Sequence, residues 1–520
     1  MKIYKLQGAA VLFATLGMFF SCDDKLDVQG ESFVTPETFY SNQAELDIAL
    51  AGVYDGLQTV YDNANYVFGE FRSDSYFPAP ASTNVSRTSF HDSNMDAADG
   101  SLRWNNFYTT IDRANRVIIA GEALEGIDPN SLGQAYAIRS KVYFDLIRIW
   151  NNVPLFLVPI TSPSDAYRPV TSYSEIMNTV VIPDMLKAES LISASPSPFR
   201  FSLPSVLAHQ AEVYMWQKTQ ADNILAESAI ERLLGLNSYS LTTSPQAWQD
   251  MFYNQPPTNT LPDALGKIQT GPELIFSIRY DDADTTPSGL WSSWVAGSSI
   301  TVISPLVEEK WIERFPQDET WNDLYPTTPP VLSITTVDQN GAPVEEPLYG
   351  DWRQFASRER GDFETGMGPA VIGEARLHKW TKNRDGMVVN LDRSDVVMYR
   401  LADMILLLAE AKIKLNKPEE ALTLINQIRS ARKLPLATDV AFGTTVDEQI
   451  NYLLDERQFE LLGEGKRWWD LIRNDKALEF VNPLLASRGQ NPLTADRLFY
   501  PIFQNHIIES LGAYQQNPGW

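Results

Sequence analysis

The sequence predicts a mainly α-helical protein, a tetratricopeptide-like helical body interrupted by a loop-rich insertion containing short strands. Three observations predict it. Apolar residues recur at helical spacing as far as about Gly235. Toward the other end, "RSDVVMYRLADMILLLAEAKIKLNKPEEALTLINQIRSARKLP" reads as one helix–turn–helix unit. Small Ala409 and Ala411 permit close contact, "NKPEE" makes the turn, and Ala421 opens the return helix. Between the two regions, from about 240 to 395, Pro and Gly cluster in "NQPPTNTLPD", "DADTTPSGL", "YPTTPPV" and "NGAPVEEPLYG", and helical periodicity fades.

The chain opens with Lys2 and Lys5, then the apolar run "GAAVLFATLGMFF". A bilayer-crossing helix needs ~20 apolar residues, so this shorter run fits the core of a secretory signal peptide. Ser21 precedes Cys22, the only cysteine of 520 residues. The pattern resembles a bacterial lipoprotein signal over residues 1–21, with Cys22 as the acylated first residue of the mature chain. Several acyl chains anchor firmly at ~0.8 kcal/mol per buried CH₂, whereas one is marginal. A buried free thiol and an uncleaved anchor helix are the alternatives. The short core and the abrupt change to "CDDKLD" favour lipidation. Residues 22–34 then form a polar tether, and one domain occupies 35–520.

Thr35 is a plausible cap and Pro36 fits the first helical position, with Ala44, Ile48, Val53 and Leu57 as the apolar stripe that follows. Leu102, Tyr108, Ile111, Ala114 and Ile118 mark a second helix. Ala135, Ile138, Val142, Leu146 and Ile149 mark a third, which ends before Pro154. "PSVLAHQAEVYMWQK" and "ADNILAESAIERLLGL" read as a helix pair. These pairs suggest degenerate repeats stacked as an α-solenoid.

Composition excludes several functions. Lys and Arg number 42 against 66 Asp and Glu, a net charge of −24 that repels nucleic acid and argues against a basic membrane patch. One cysteine forbids a disulfide framework or a multi-cysteine metal site. His91, His209, His378 and His506 form no HExxH pair, and no EF-hand spacing occurs, so no metal is expected. Phosphate-binding glycine loops and nucleophile elbows are missing too, so no cofactor and no catalytic residue is assigned.

The most distinctive stretch is "LLDERQFELLGEGKRWWDLIRNDKALEF". Glu456 and Glu460 share a helix face, but a glycosidase places its two carboxylates on opposite sides of a bond. An ion-pair network with Arg457, Arg467 and Arg473 is the better reading. The block resembles the signature of the SusD/RagB family, surface nutrient-binding lipoproteins of Bacteroidetes, through Glu456, Arg457, Glu460, Leu461, Glu464, Gly465, Arg467, Trp468, Asp470, Leu471 and Arg473. "AIRSKVYFDLIRIWNNVPLF" and the tail "LFYPIFQNHIIESLGAYQQNPGW" are similar to further family blocks. Asn151-Asn152, Phe503 and Trp520 depart from the usual residues. The resemblance implies a SusD-like fold, no enzymatic activity and an outward-facing outer-membrane lipoprotein, with "CDDK" as the export signal. It also implies a SusC-like TonB-dependent transporter as partner, over which the protein sits as a hinged lid.

A glycan is the ligand read first, a peptide second, and a surface glycosidase or a pure scaffold after those, with the loop-rich insertion at about 240–395 expected to bind it, since that region tends to vary with the ligand in this family. Sugar rings stack on indole and phenol faces, and their hydroxyls bond carboxylates, amides and guanidinium groups. Trp291 and Trp294 in "SGLWSSWVAGSS" are the first candidates, with a hydrophobic clasp as the equal alternative. Arg72, Asp74 and Tyr76 alternate and would share one side of an extended segment, unless they form an ion pair at a helix exit. Asp62, Asn65, Trp352 and Arg353 complete the set. Trp104, Trp150, Trp216, Trp468 and Trp469 lie in helical blocks and are assigned to the core. If Cys22 carries the anchor, Cys22→Ser moves the protein from the membrane fraction to the soluble fraction on cell fractionation.

Overall fold

The computed structural model describes residues 40–62, 64–79, 85–252, 269–280, 288–290, 294, 301–316, 333–337, 343–347, 350–358, 372–380 and 394–520. The signal region, Cys22, the Thr35 cap and Trp291 lie outside the described residues. Among the described residues, no helix is long and apolar enough to cross a membrane.

Asn42 opens α1 (Gln43–Tyr61) by accepting the Glu45 N–H at 3.2 Å, which satisfies one of the unpaired donors of the first turn. Leu46, Leu50, Val53, Leu57 and Val60 then face inward at spacings of three and four. Val53 and Leu57 lie where the sequence pattern puts them, but Ile48 sits on the opposite, exposed face. α2 (Asn105–Ala123) packs on α1 through Ile111, Ala114 and Ile118. α3 (Pro129–Trp150) starts at Asp128, whose side chain accepts the Asn130 N–H at 3.0 Å, with Pro129 at the first helical position.

The expected stripe of α3 is buried, but so is the rest of the helix, which makes it the central rod of the body. Its charges therefore find partners inside. Arg139 forks onto Asp184 at 2.7 and 2.9 Å. Arg148 meets Glu212 at 2.7 Å and Lys141 meets Asp145 at 2.9 Å.

α4 (Ile182–Leu191) returns against α3. α5 (Leu203–Gln217) and α6 (Gln220–Gly235) form the next pair, turning at Lys218 with φ 63° and restarting where Thr219 caps Asp222 at 3.1 Å. α7 (Leu401–Lys414) and α8 (Pro418–Ala431) follow, turning at Asn416 with φ 58° into Pro418. α7 packs on α6, and α9 (Val446–Leu461) packs on α7. The pairs thus stack in chain order, as a solenoid does.

The insertion threads back into this stack. Val396–Arg400, expected as the start of a helix, is a strand that pairs antiparallel with Leu274–Ile278. Its β-branched Val396 and Val397 suit a buried ladder better than a helix. Tyr76–Phe77 pairs with Val302–Ile303, and Ser333–Val337 with Pro343–Pro347.

A buried ion network fastens insertion to body. Glu460 of α9 receives Arg400 at 2.7 Å, Arg432 at 2.7 Å and Arg353 at 2.8 Å. Arg353 also meets Asp351 at 2.8 Å and Glu456 at 2.9 Å, and Arg429 reaches Glu456 at 2.8 Å. Glu273 joins Arg400 to Arg432, and Glu464 takes Arg400 and Lys379. Burial alone would raise the Glu460 carboxyl, but Arg432, Arg400 and Arg353 hold it well below the usual carboxylate range.

The expected partners of Glu456 and Glu460 are corrected here. Arg457 pairs with Asp403 and Asp470, Arg467 with Asp74, and Arg473 with Glu410 and Asp470. Gly463 and Gly465, at φ 80° and 76°, turn the chain into α10 (Arg467–Arg473), and the cations around Glu460 are Arg353 of the insertion, Arg400 at the end of the Val396–Arg400 strand and Arg432 just past α8.

Glu70 locks that same turn by accepting the N–H groups of Gly465 at 2.8 Å and Lys466 at 3.1 Å. Its other oxygen has no hydrogen-bond partner among the described residues. Burial pushes its carboxyl up to about 8, from 4.5 in an exposed chain, against the lowering effect of the two N–H donors. The folded state therefore holds a proton that the unfolded state releases, and this contribution to stability is lost as pH rises from about 4.5 through about 8. Glu70→Gln, which stays neutral, should gain on the natural protein over that window by more than about 1 kcal/mol in urea melts. A pH-independent difference would contradict the assignment.

Candidate ligand-binding site

Most of the side chains named from sequence lie in the interior. Trp294 is fully buried, its ring centroid 4.6 Å from Tyr76, 5.1 Å from Phe71 and 5.8 Å from Tyr66. It is the clasp that holds the insertion to the body, and Tyr76 is one wall of its socket. Arg72, Asp74 and Tyr76 do not share one exposed side. Arg72 lies between Trp468 and Tyr500 and donates to the Leu498 carbonyl at 3.1 Å, tying down the C-terminal tail. Burial lowers its guanidinium to about 10.

Asp74 is bound by the Arg467 fork at 2.7 and 2.8 Å, which is the ion-pair alternative. Trp352 is buried and donates to the Arg432 carbonyl at 2.7 Å, and Arg353 belongs to the Glu460 network. These placements correct Arg72, Asp74, Tyr76, Trp294, Trp352 and Arg353 as ligand contacts, because none presents a free surface. Asn65 is half-buried, with its amide directed to the Glu464 carbonyl at 3.3 Å. Trp104, Trp150, Trp216, Trp468 and Trp469 are core residues, as expected.

Asp62 differs, because it lines an open cleft of about 640 Å³. The cleft forms where the end of α1, the segment ahead of α2 and the C-terminal tail meet. Arg87, Ser101, Arg103, Asn105, Asn106 and Asn505 give it polar walls, and Phe107 and Phe503 give it an apolar floor. Asp99 caps the one-turn helix Gly100–Leu102 by accepting the Ser101 N–H at 2.8 Å, so Ser101 and Arg103 are held on a fixed turn. Arg103 lies 5.0 Å from the Phe503 ring centroid and makes no ion pair among the described residues. The Asn106 amide donates to the Thr59 carbonyl at 3.2 Å and ties α2 to α1.

His506 stacks on Trp104 at 4.8 Å with 5° between the rings, and its Nε2 accepts the Trp104 N–H at 3.4 Å. Burial, helped by the Arg103 charge, lowers the imidazole to about 4, so it is neutral at pH 7. The cleft thus offers guanidinium, amide, hydroxyl and carboxylate groups beside aromatic surface, the pattern that binds a polyhydroxylated ring. Among the described residues, no cluster of His, Cys, Asp and Glu is arranged to hold a metal ion.

Sequence reasoning missed Arg103, Asn105, Asn106 and Asn505. The available signal was "RWNN", three polar side chains around a core tryptophan at a helix start, together with "QNH" in the tail.

A family model described as "SusD family" matches residues 373–520, and one described as "Starch-binding associating with outer membrane" matches residues 24–215. SusD-like protein P38 of Formosa agariphila is 34% identical over 522 residues, covering 98% of each chain. The chain belongs to the SusD-like family. Among solved structures, this SusD-like chain is similar to NanU of B. fragilis, with a TM-score of 0.67, 20% identity and coverage of 94% and 99% of the two chains. It is also similar to a laminarin-binding SusD-like protein, with a TM-score of 0.65, 20% identity and coverage of 92% and 100%. Surface glycan-binding protein A of Bacteroides fluxus gives 0.67 at 18% identity, covering 92% and 100%. These likenesses extend to the fold, the mainly helical SusD-like architecture read from sequence.

Trp294 is assigned to packing, so Trp294→Ala should cost about 3–5 kcal/mol of stability in urea unfolding. A fully stable variant with altered ligand binding would reverse the assignment.

Proposed function

We propose that this SusD-like protein captures an oligo- or polysaccharide at the outer face of the outer membrane and delivers it to a SusC-like TonB-dependent transporter, with no bond broken. One observation carries the capture step. Ser101, Arg103, Asn105, Asn505 and Glu509 line one open cleft, and none of their side chains hydrogen-bonds another described residue. These side chains are exposed, and gathered in one cleft they offer a hydroxyl-rich ligand donors and acceptors that no protein partner has to give up. The description of the matched family model and the names of two similar structures support a glycan over a peptide. Glu456 and Glu460 are sealed inside the protein on their arginines, which supports binding over hydrolysis. The layout that goes with this reading is a signal over 1–21, lipidated Cys22 with a tether to 34, and one domain over 35–520. Its ligand contacts are the cleft residues and Asp62, with Trp291 kept as a candidate.

Calorimetric titration of the protein with polysaccharides, oligosaccharides and a peptide digest, followed by product analysis, tests this. Saturable glycan binding without products is expected. Arg103→Ala should weaken it roughly tenfold or more, because hydrogen bonds to charged groups contribute about 1.5–3 kcal/mol. Binding of peptides alone, or release of sugar products, would overturn the reading.

A further inference from the structure

Beside the first cleft lies a second, of about 460 Å³, which the capture reading leaves without a role. Asn105, His506 and Glu509 line both, so the two are continuous across a shared saddle. Their walls differ. The second is aromatic, with Trp104, Tyr108, Phe156, Tyr167 and Tyr514. Most of these rings hold one another in place. Trp104 meets Tyr108 edge-on at 5.9 Å and Tyr514 at 5.7 Å, and Tyr108 meets Phe156 at 5.5 Å. The Tyr108 hydroxyl is spent on the Pro154 carbonyl at 2.7 Å.

Tyr167 is the exception. It is 58% exposed, and its phenol ring makes no hydrogen bond and no ring contact among the described residues. It sits between the one-turn helix Pro163–Ala166 and the strand Val170–Thr171, so its backbone is placed while its ring is unused. The saddle also carries unspent groups, since the Asn105 amide and the Glu509 carboxylate bond no other described side chain. Each cleft falls within the roughly 300–1,000 Å³ range of small-molecule sites, so the pair has room for more than one ring.

We infer that the second cleft is a stacking subsite for a further sugar ring, so that the ligand is a glycan chain long enough to cross the saddle. One ring lies on Tyr167, and hydroxyls of the crossing unit bond Asn105 and Glu509. The first cleft alone holds the short end. This inference rests on the capture reading and narrows its oligo- or polysaccharide to chains long enough to fill both clefts.

The test is binding of the full chain, in a detergent without a sugar headgroup, to an array of glycans graded from disaccharides to octasaccharides. Affinity should rise with length until the second cleft is filled. Tyr167→Ala should cost roughly three- to tenfold on long chains and nothing on short ones, the scale of one lost aromatic contact. Tyr167→Phe should bind as the natural protein does. Arg103→Ala should weaken binding at every length. Tyr167 is largely exposed, so the variant should keep its fold, which a circular dichroism melt checks. If the natural protein binds glycans but Tyr167→Ala is silent, or acts equally at all lengths, the second subsite is refuted and the capture reading stands. If the natural protein binds nothing on the array, both fall.

Discussion

Glu460 sits fully buried among the guanidinium groups of Arg353, Arg400 and Arg432, and the rest of the fold is arranged so that this charge is matched. A buried ion is costly unless it is paired and hydrogen-bonded. Three arginines around one carboxylate leave positive charge over, so Asp351, Glu456, Glu273 and Glu464 must come to the same place. They arrive from the insertion, from α9 and from the turn that follows it. The insertion is therefore no appendage. It supplies Glu273, Asp351, Arg353 and Lys379 to the centre of the molecule, and its Trp294 closes a socket formed by Tyr66, Phe71 and Tyr76.

That constraint also decides where a ligand can bind. Residues whose chemistry would suit a sugar are abundant, but most are consumed in holding the chain together. Arg72 fixes the tail, Asp74 fixes α10 through Arg467, and Trp352 fixes Arg432 by its carbonyl. Unspent groups gather instead where α1, the start of α2 and the tail meet. There the pairing requirement is relaxed because solvent reaches the side chains. The stacked Trp104 and His506 stiffen that junction, so the free groups stand on a rigid base.

The helical body was legible because local rules suffice for it. The Asp128–Pro129 start of α3, the Asn416–Pro418 turn and the inward Val53 and Leu57 follow from caps, turn chemistry and periodicity. Ile48 departs from the expected stripe because Leu46 and Leu50 form a competing one half a turn away. The partners of Glu456 and Glu460 were not legible. Arg353 lies more than a hundred residues upstream in the chain, in a region without periodicity. Trp294 and Trp352 looked exposed because their neighbours in sequence are small or polar, yet their neighbours in space come from distant segments. The cleft was hidden for the same reason. Arg103 and Asn505 are ordinary surface residues until the tail folds beside α2.

Insertion and body jointly depend on the charge of Glu460. Urea unfolding of Glu460→Gln, which keeps shape and removes the charge, tests it most directly. One cooperative transition lowered by about 3–5 kcal/mol, or no folded protein at all, is expected, because three buried guanidinium groups lose their shared counter-charge. A variant within about 1 kcal/mol of the natural protein, with its tryptophan environment unchanged, would show that the fold does not depend on this charge.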